Sequence, residues 1–169
     1  MGLFNARNFW TAPQKFIGGL IRPDQIFMFT DAKAGTTAGW TVREGANLWQ
    51  STCPASQTAA TLVVNLSGLH IGDTITGFNL VGQIESGGQT VMVDADLRKL
   101  TAAAADLVDA SVGSITQVSK TADTVLSAIN AGKTGLVEIV GADESYYVLI
   151  TATTGGSTDI ALQGVQVTV

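Results

Sequence analysis

The 169-residue sequence predicts a mainly β protein in which residues 61–169 form an antiparallel β-sandwich or jelly roll. Residues 1–60 are expected to form an extended or irregular N-terminal arm. Three observations support this prediction. After residue 60, apolar and polar residues alternate in short runs separated by turn residues. All three prolines, all three tryptophans and five of the six phenylalanines precede that point. The charge also divides there, with a net of +2 before it and −7 after it.

The overall composition favours contacts with other protein subunits. Charged residues make up 14% of the chain, against about 25% in a typical soluble domain. No apolar run approaches the roughly 20 residues of a membrane-spanning helix, so the apolar surplus indicates a homotrimer or a comparable small assembly. The alternative is a monomer with a neutral surface rich in Thr and Gly. The acidic body lacks a basic stripe, which argues against a nucleic-acid partner.

The body opens with a strand at residues 61–66, where the apolar side chains have a period of two. A longer strand is predicted at residues 74–84, but its alternation changes phase. Ile75 is apolar, and the series resumes at Phe78 on the other parity. Because a strict period of two cannot skip a residue without reversing the buried face, we predict a β-bulge at the intervening Gly77.

The middle of the body is predicted less completely. A hairpin turn at residues 86–88 leads into a strand at residues 89–97, which alternates cleanly. Residues 101–110 are ambiguous, because four consecutive alanines favour a helix whereas the spacing of turns favours a strand. We expect an extended or irregular connection there. Further short strands are expected at residues 111–119, 124–129 and 136–140, with a turn at residues 131–135.

The C-terminal region gives the clearest pattern. Strands are predicted at residues 146–152 and 159–169, on either side of a Gly-rich loop. The alternation slips again between Leu162 and Val165, so a second bulge is expected at Gly164. In total, about eight short strands at intervals of 8–12 residues indicate an antiparallel sandwich or jelly roll.

Two aspartates provide the best candidate for an ion site. Asp94 and Asp96 lie on the same outward side of one predicted strand, and they could bind Ca²⁺ together with Asp143 or Glu144. A solvated polar face is the expected role of these residues, and no EF-hand spacing occurs. We therefore expect no metal site.

Catalytic chemistry is not expected. The single cysteine, Cys53, cannot form an internal disulfide, and it is expected to be a small core or interface residue. The single histidine, His70, cannot be assigned to a catalytic triad, and no G-x-S-x-G elbow or phosphate-binding loop is present. We expect no catalytic residue and no cofactor, and the chain is not expected to be an enzyme.

The N-terminal arm contains the candidate assembly interface. Phe4, Phe9, Trp10 and Phe16 each contribute roughly 2–3 kcal/mol if they become buried. They lack the period that would place them on one helix face, and a proline and two glycines interrupt a possible membrane-surface helix at residues 4–20. We expect the arm to contact neighbouring chains. The alternative is an arm that folds back on its own sandwich.

Several stretches of the body carry a resemblance to a known class of proteins: residues 71–77 (Ile-Gly-Asp-Thr-Ile-Thr-Gly), 93–99 (Val-Asp-Ala-Asp-Leu-Arg-Lys), 146–154 (Tyr-Tyr-Val-Leu-Ile-Thr-Ala-Thr-Thr) and 160–169 (Ile-Ala-Leu-Gln-Gly-Val-Gln-Val-Thr-Val). In these stretches the body resembles the small β-sandwich proteins that decorate or cement the heads of tailed bacteriophages, commonly as trimers over local three-fold positions of the shell. The arm at residues 1–60 is outside this resemblance.

The resemblance implies a non-enzymatic virion protein that stabilises an assembled capsid as a trimer. Its partners would be further copies of itself and the shell of the major capsid protein, without nucleic acid or membrane. It would be made in the host cytoplasm and would lie on the outer surface of the phage head. The alternative is a receptor-binding or fibre/baseplate attachment module that has the same sandwich fold.

Overall fold

The computed structural model describes residues 24–28, 40–44, 49–103, 105–126 and 131–169. These residues form β-strands joined by turns and loops, and none of them is helical. The strands are β1 (Asp24–Met28), β2 (Thr41–Glu44), β3 (Trp49–Cys53), β4 (Ala60–Asn65), β5 (Thr74–Glu85), β6 (Val91–Ala102), β7 (Leu107–Lys120), β8 (Thr124–Leu126), β9 (Gly132–Ile139), β10 (Glu144–Thr153) and β11 (Asp159–Thr168).

The strands form two antiparallel sheets. The larger sheet has the order β2-β3-β11-β5-β8, with β1 also paired to β11 and β9 also paired to β5. The smaller sheet has the order β4-β10-β6-β7. The prediction of a mainly β chain with antiparallel sheets is confirmed, and this arrangement is compatible with a β-sandwich.

The core lies between the two sheets. In β4, β6 and β10, alternate residues are buried, as a strand with one covered face requires. Their buried side chains belong to the same hydrophobic cluster as those of the larger sheet. The cluster includes Leu62, Val64, Val93, Leu97, Val148 and Ile150 from the smaller sheet, and Phe78, Leu80, Ile84, Ile160, Leu162 and Val167 from the larger one.

At one end of the sandwich, the connecting loops bond to each other. Gln89 donates its backbone N–H to the Ser86 carbonyl at 2.8 Å, which confirms a turn at residues 86–88. That turn joins β5 in the larger sheet to β6 in the smaller one, so the expected hairpin is wrong. The Gln89 side-chain oxygen accepts a hydrogen bond from the backbone N–H of Gly156 at 2.6 Å. We call this end, formed by residues 86–89 and 154–158, the polar end.

The phase slip at Gly164 corresponds to a bulge on β11. The register of β11 against β5 shifts between Leu162 and Gly164, which leaves Gln163 as the extra residue. The shift places Leu162 and Val165 on the same buried side despite their odd spacing. The prediction of an irregularity at Gly164 is confirmed.

The phase slip at Gly77 has a different origin. The register of β5 against β9 shifts between Ile75 and Gly77, so an irregularity is confirmed there. The extra residues lie on β9, because the partners of Ile75 and Gly77 are Glu138 and Thr134. Within this irregular segment, Gly135 has a φ of +74°. The turn expected at residues 131–135 is therefore wrong, since β9 already begins at Gly132.

The ambiguous segment at residues 101–110 is a hairpin. Strand β6 continues to Ala102, β7 begins at Leu107, and these two residues are partners. The Ala103 backbone N–H donates to the Asp106 carbonyl at 3.0 Å. Residues 101–102 and 107–110 lie in the two paired strands, so most of this segment is the strand that the spacing of turns favoured and not an irregular connection.

Parts of the first 60 residues pair with the body. Strands β1 and β3 both pair with β11, and β2 pairs with β3. Trp40 is buried and donates its indole N–H to the Ala60 carbonyl at 3.2 Å. The pairing of these segments agrees with the alternative expectation, in which the arm folds back on its own chain. The division at residue 60 stays a prediction, because most of residues 1–60 lie outside the described ranges.

We expect Gly77→Ala to lower the free energy of unfolding by about 1–3 kcal/mol. A Cβ at this position would lie 2.6 Å from the Lys133 carbonyl oxygen, a backbone atom of the paired strand. Chemical denaturation measures the change. The matched control is Gly156→Ala, whose Cβ would meet nothing closer than 3.9 Å. Equal stabilities of the two variants would contradict this account of the β5–β9 contact.

Candidate interaction surface

Large apolar side chains are exposed mainly at the end of the sandwich opposite the polar end. Among the described residues, six such side chains are exposed, and Val125 is the one that lies elsewhere. The other five, which we call the apolar end, are Ile71, Leu107, Val108, Val137 and Ile139, with exposed fractions from 52% to 83%. Surface that is both apolar and exposed is typical of sites where another protein binds.

Strand pairing and loop contacts bring these five residues to the same end. Ile139 is the partner of Thr74, at the start of β5. The Gly72 backbone N–H, next to Ile71, donates to the Val140 carbonyl at 2.8 Å. The turn before β5 therefore lies against the end of β9.

The β6–β7 hairpin reaches the same end from the smaller sheet. The Ala102 backbone N–H donates to the carbonyl of Asp143, in the turn between β9 and β10, at 3.0 Å. Further back, β7 approaches β9 closely, because a Cβ on Gly113 would lie 2.7 Å from the Leu136 side chain. From there β7 extends six residues back to Leu107, whereas β9 extends three residues to Ile139.

The exposed apolar side chains point to different sides of this end. Leu136 is buried and Glu138 is partly buried, so Val137 and Ile139 point outward from the larger sheet. In the hairpin, Leu107 and Val108 are successive strand residues and therefore point to opposite faces. The apolar end thus offers contacts around the tip of the sandwich and not on one flat face.

A lysine joins the two sheets beneath this surface. Lys99 Nζ on β6 lies 2.7 Å from Glu138 Oε1 on β9 and 3.1 Å from Glu144 Oε1 on β10. The Tyr146 hydroxyl lies 2.7 Å from Glu144 Oε2 and 2.8 Å from Glu138 Oε1, and its single proton can be donated to only one of them at a time. We call these four residues the Lys99 cluster.

The Lys99 cluster shifts the pKa values of its members. The hydrogen bond from Tyr146, and after it the one from the Gly141 backbone N–H, lower the pKa of Glu144. Hydrogen bonding to Glu138, and then to Glu144, raises the pKa of Lys99. Burial, followed by the neighbouring carboxylates, raises the pKa of Tyr146. The shifts of Glu144 and Lys99 favour a charged Lys99 facing an ionised Glu144 at neutral pH, and the shift of Tyr146 keeps its hydroxyl protonated, so that it can donate a hydrogen bond.

A second cluster lies on the outer face of the smaller sheet, around Arg98. Arg98 Nη1 is 2.6 Å from Asp96 Oδ2, and Arg98 Nε is 3.0 Å from Asp109 Oδ1. Tyr147 donates its hydroxyl to Asp109 Oδ2 at 2.8 Å. The hydrogen bond from Arg98 is the main cause of the lowered pKa of Asp109. The cluster connects β6, β7 and β10 at the base of the projecting hairpin.

The two aspartates proposed as a possible ion site instead bind β7. Asp94 Oδ1 accepts a hydrogen bond from the Gln117 backbone N–H at 2.6 Å, and Gln117 has a φ of +48° where the β6–β7 register shifts. Asp96 Oδ1 accepts hydrogen bonds from Ser111 at 2.5 Å and Ser114 at 2.9 Å, on either side of a second register shift. These carboxylates stabilise two irregularities of a long edge strand.

The described residues offer little support for metal chemistry or a reactive thiol. They contain no group of three or more His, Cys, Asp or Glu residues placed to bind a metal ion. Cys53 is fully buried, and burial, with a smaller effect of Asp159, raises the pKa of its thiol to about 11. The thiol is therefore protonated at neutral pH, which suits the expected core role.

Within the described ranges there is no helix of the length and apolarity needed to cross a bilayer. The assembly residues expected from the sequence, Phe4, Phe9, Trp10 and Phe16, lie outside the described residues. Comparison of the chain with protein-family models and with curated proteins gives no match.

The sequence does contain a signal for the apolar end, which the period-two analysis missed. In β9, Glu138 points inward while Val137 and Ile139 on either side of it point outward. This inverts the usual pattern, in which a charged residue faces solvent and β-branched residues face the core. An inverted alternation of this kind marks a strand whose outer face is available for contact.

We expect the stability of the protein to fall as the pH drops below about 4.5, and Glu144→Gln to flatten that dependence. Because the pKa of Glu144 is lowered in the folded state, the unfolded chain takes up the proton first. The stabilisation is present above the ordinary pKa and is lost as the pH falls through the lowered one. Denaturation at a series of pH values measures this slope.

The matched control for this prediction is Asp143→Asn, which removes an exposed carboxylate from the same turn. At neutral pH, Glu144→Gln should cost about 1–3 kcal/mol, since it leaves Lys99 and Tyr146 with a weaker partner. A Glu144→Gln protein with the wild-type slope would show that the Lys99 cluster does not set the acid response.

Proposed function

We propose that this chain is a non-enzymatic structural protein of a phage particle that binds the assembled capsid as a homotrimer and stabilises it. The observation that carries the proposal is the apolar end, with five exposed large apolar side chains at one tip of the sandwich. Exposed area of this kind favours a protein partner over a solvated monomer. The resemblance of residues 71–77 and 93–99 to head-decorating proteins adds the class of particle.

The fold supports this role because it provides a stiff body with one surface for contact. The two sheets enclose a single core, and at the polar end hydrogen bonds join the loops, as in the bond from the Ser86 backbone N–H to Asp123 Oδ1 at 3.0 Å. The apolar end differs because it exposes five large apolar side chains. Consecutive strands from β4 to β6, and again from β9 to β11, pass between the sheets at each connection, which favours the jelly-roll topology that we include in the proposal.

Charge supports the choice of partner. Residues 61–169 contain four Lys/Arg and eleven Asp/Glu. Two of the four cations, Arg98 and Lys99, each face two carboxylates. This body suits a protein partner better than a phosphate backbone or an anionic membrane. The proposed partners are further copies of this chain and the shell of the major capsid protein, on the outer surface of the head after synthesis in the host cytoplasm.

The aromatic arm contributes to the same proposal. Phe4, Phe9, Trp10 and Phe16 would contact a neighbouring chain, in the trimer or on the shell. Their apolar area favours burial. The body's inner faces are already filled by the Val, Ile and Leu side chains of its own strands.

A solution mass measurement, combined with co-sedimentation with empty phage heads, tests this proposal. We expect a trimer at micromolar concentration, binding to assembled shells and increased resistance of those shells to heat. Shells heated without the protein are the control. A monomer with and without shells would contradict the proposal. Binding to cells or glycans in place of shells would favour the attachment module.

A further inference from the structure

We infer that the apolar end receives residues 1–23 of a second copy of the chain. This inference rests on the assembly proposed above and names the two surfaces that would meet. The first observation that supports it is the shape of the apolar end. Val137 and Ile139 point outward from the larger sheet, whereas the hairpin residues Leu107 and Val108 point to opposite faces of the smaller one. No single flat surface covers all of these side chains, but an extended segment can follow them around the tip.

Charge complementarity is the second support. Residues 1–23 contain Arg7, Lys15 and Arg22 and no Asp or Glu, which gives a net charge of +3. The clusters and turns at the apolar end carry seven carboxylates against two cations, a net of −5. The carboxylates are Asp73, Asp96, Asp106, Asp109, Glu138, Asp143 and Glu144, and the cations are Arg98 and Lys99. Opposite charges at the edge of an apolar contact speed association and orient it.

The existing cations do not neutralise this surface. Lys99 and Arg98 each lie within ion-pair distance of two carboxylates, so each cluster retains one negative charge. Asp106 and Asp143 are exposed in the turns beside them. A basic segment would therefore add favourable pairs, while the same surface would repel an acidic partner such as another body.

The length and the aromatic composition of residues 1–23 also support the inference. The described chain begins at Asp24, which is the partner of Thr168, and Thr168 is the partner of Gly77 near the start of β5. Residues 1–23 thus start from the side of the molecule that carries the apolar end, and about 23 extended residues span up to roughly 75 Å. Aromatic anchors such as Phe9 and Trp10 are residue types that dominate the energy of protein contacts.

The experiment uses the full chain in two complementary variants. Val137→Lys places a positive charge, which would repel the basic arm, on the apolar end at a side chain that is 83% exposed, so folding is not at risk. Phe9→Ala/Trp10→Ala removes two anchors from the arm. The matched control is Val125→Lys, which makes the same change at a 70% exposed valine away from the apolar end. Thermal melts verify the fold, and analytical ultracentrifugation measures association.

We expect each of the first two variants to associate at least about tenfold more weakly than wild type, and Val125→Lys to behave as wild type. An equimolar mixture of the two weak variants should form a hetero-complex, because one supplies an intact arm and the other an intact apolar end. A synthetic peptide of residues 1–23 should dissociate the wild-type assembly, and a scrambled peptide of the same composition should not.

Three results would overturn the inference. One is wild-type association of Val137→Lys, which would show that the apolar end is not used. Another is a mixture that stays monomeric, which would mean that the arm binds its own chain or a different surface. A third is a peptide that competes no better than its scrambled version. A wild-type chain that is itself monomeric would instead contradict the proposed assembly, so the two failures can be told apart.

Discussion

The molecule is held together by burial of the inner faces of the two sheets against each other. Where this burial stops determines which side chains are exposed at each end of the sandwich. Along β6, the inward positions from Val91 to Leu97 are fully or almost fully covered. The next inward position is Lys99, which reaches Glu138 on the opposite sheet. At this end an ionic contact thus takes over from apolar packing, and beyond it the β6–β7 hairpin continues without a covering sheet.

The scarcity of cations determines the electrostatics of the apolar end. With four Lys/Arg among residues 61–169, each cation at this end has to serve two carboxylates. The resulting clusters fix β6, β7, β9 and β10 in place and leave the surface acidic. Asp94 and Asp96 also serve structure, since they bind the irregular part of β7 that would otherwise be a long, regular edge strand. Stability and the proposed recognition thus use the same carboxylates.

The sequence predicted most reliably those strands that bury one face completely. In β4, β6 and β10 the period of two is the direct result of that burial, so the pattern could be read without knowing the partner strands. The phase slips at Gly77 and Gly164 were also visible in the sequence. They are informative because an uninterrupted strand would turn its apolar side chains to the solvent after the slip. The sequence did not show which strand carries the extra residues of each bulge. For the irregularity at Gly77 they lie on β9, about 57 residues further along the chain.

Other features depend on contacts that a local pattern does not contain. A turn at residues 86–88 looks the same in sequence whether it joins strands of one sheet or of two. The sharing of Lys99 by Glu138 and Glu144 requires three strands from both sheets to meet. The apolar end was missed because Val137 and Ile139 look like core residues until the inward position of Glu138 is known. Phe4, Phe9, Trp10 and Phe16 remain predicted contacts.

Hydrogen exchange of the full chain, compared between dilute and assembled protein, tests the central claim that the molecule associates through its apolar end. The account predicts slower exchange on assembly in the hairpin around Leu107 and Val108 and in the last residues of β9. Exchange in the turns of the polar end, at residues 86–89 and 154–158, should not change. Protection confined to the polar end, or spread evenly over both ends, would contradict the account.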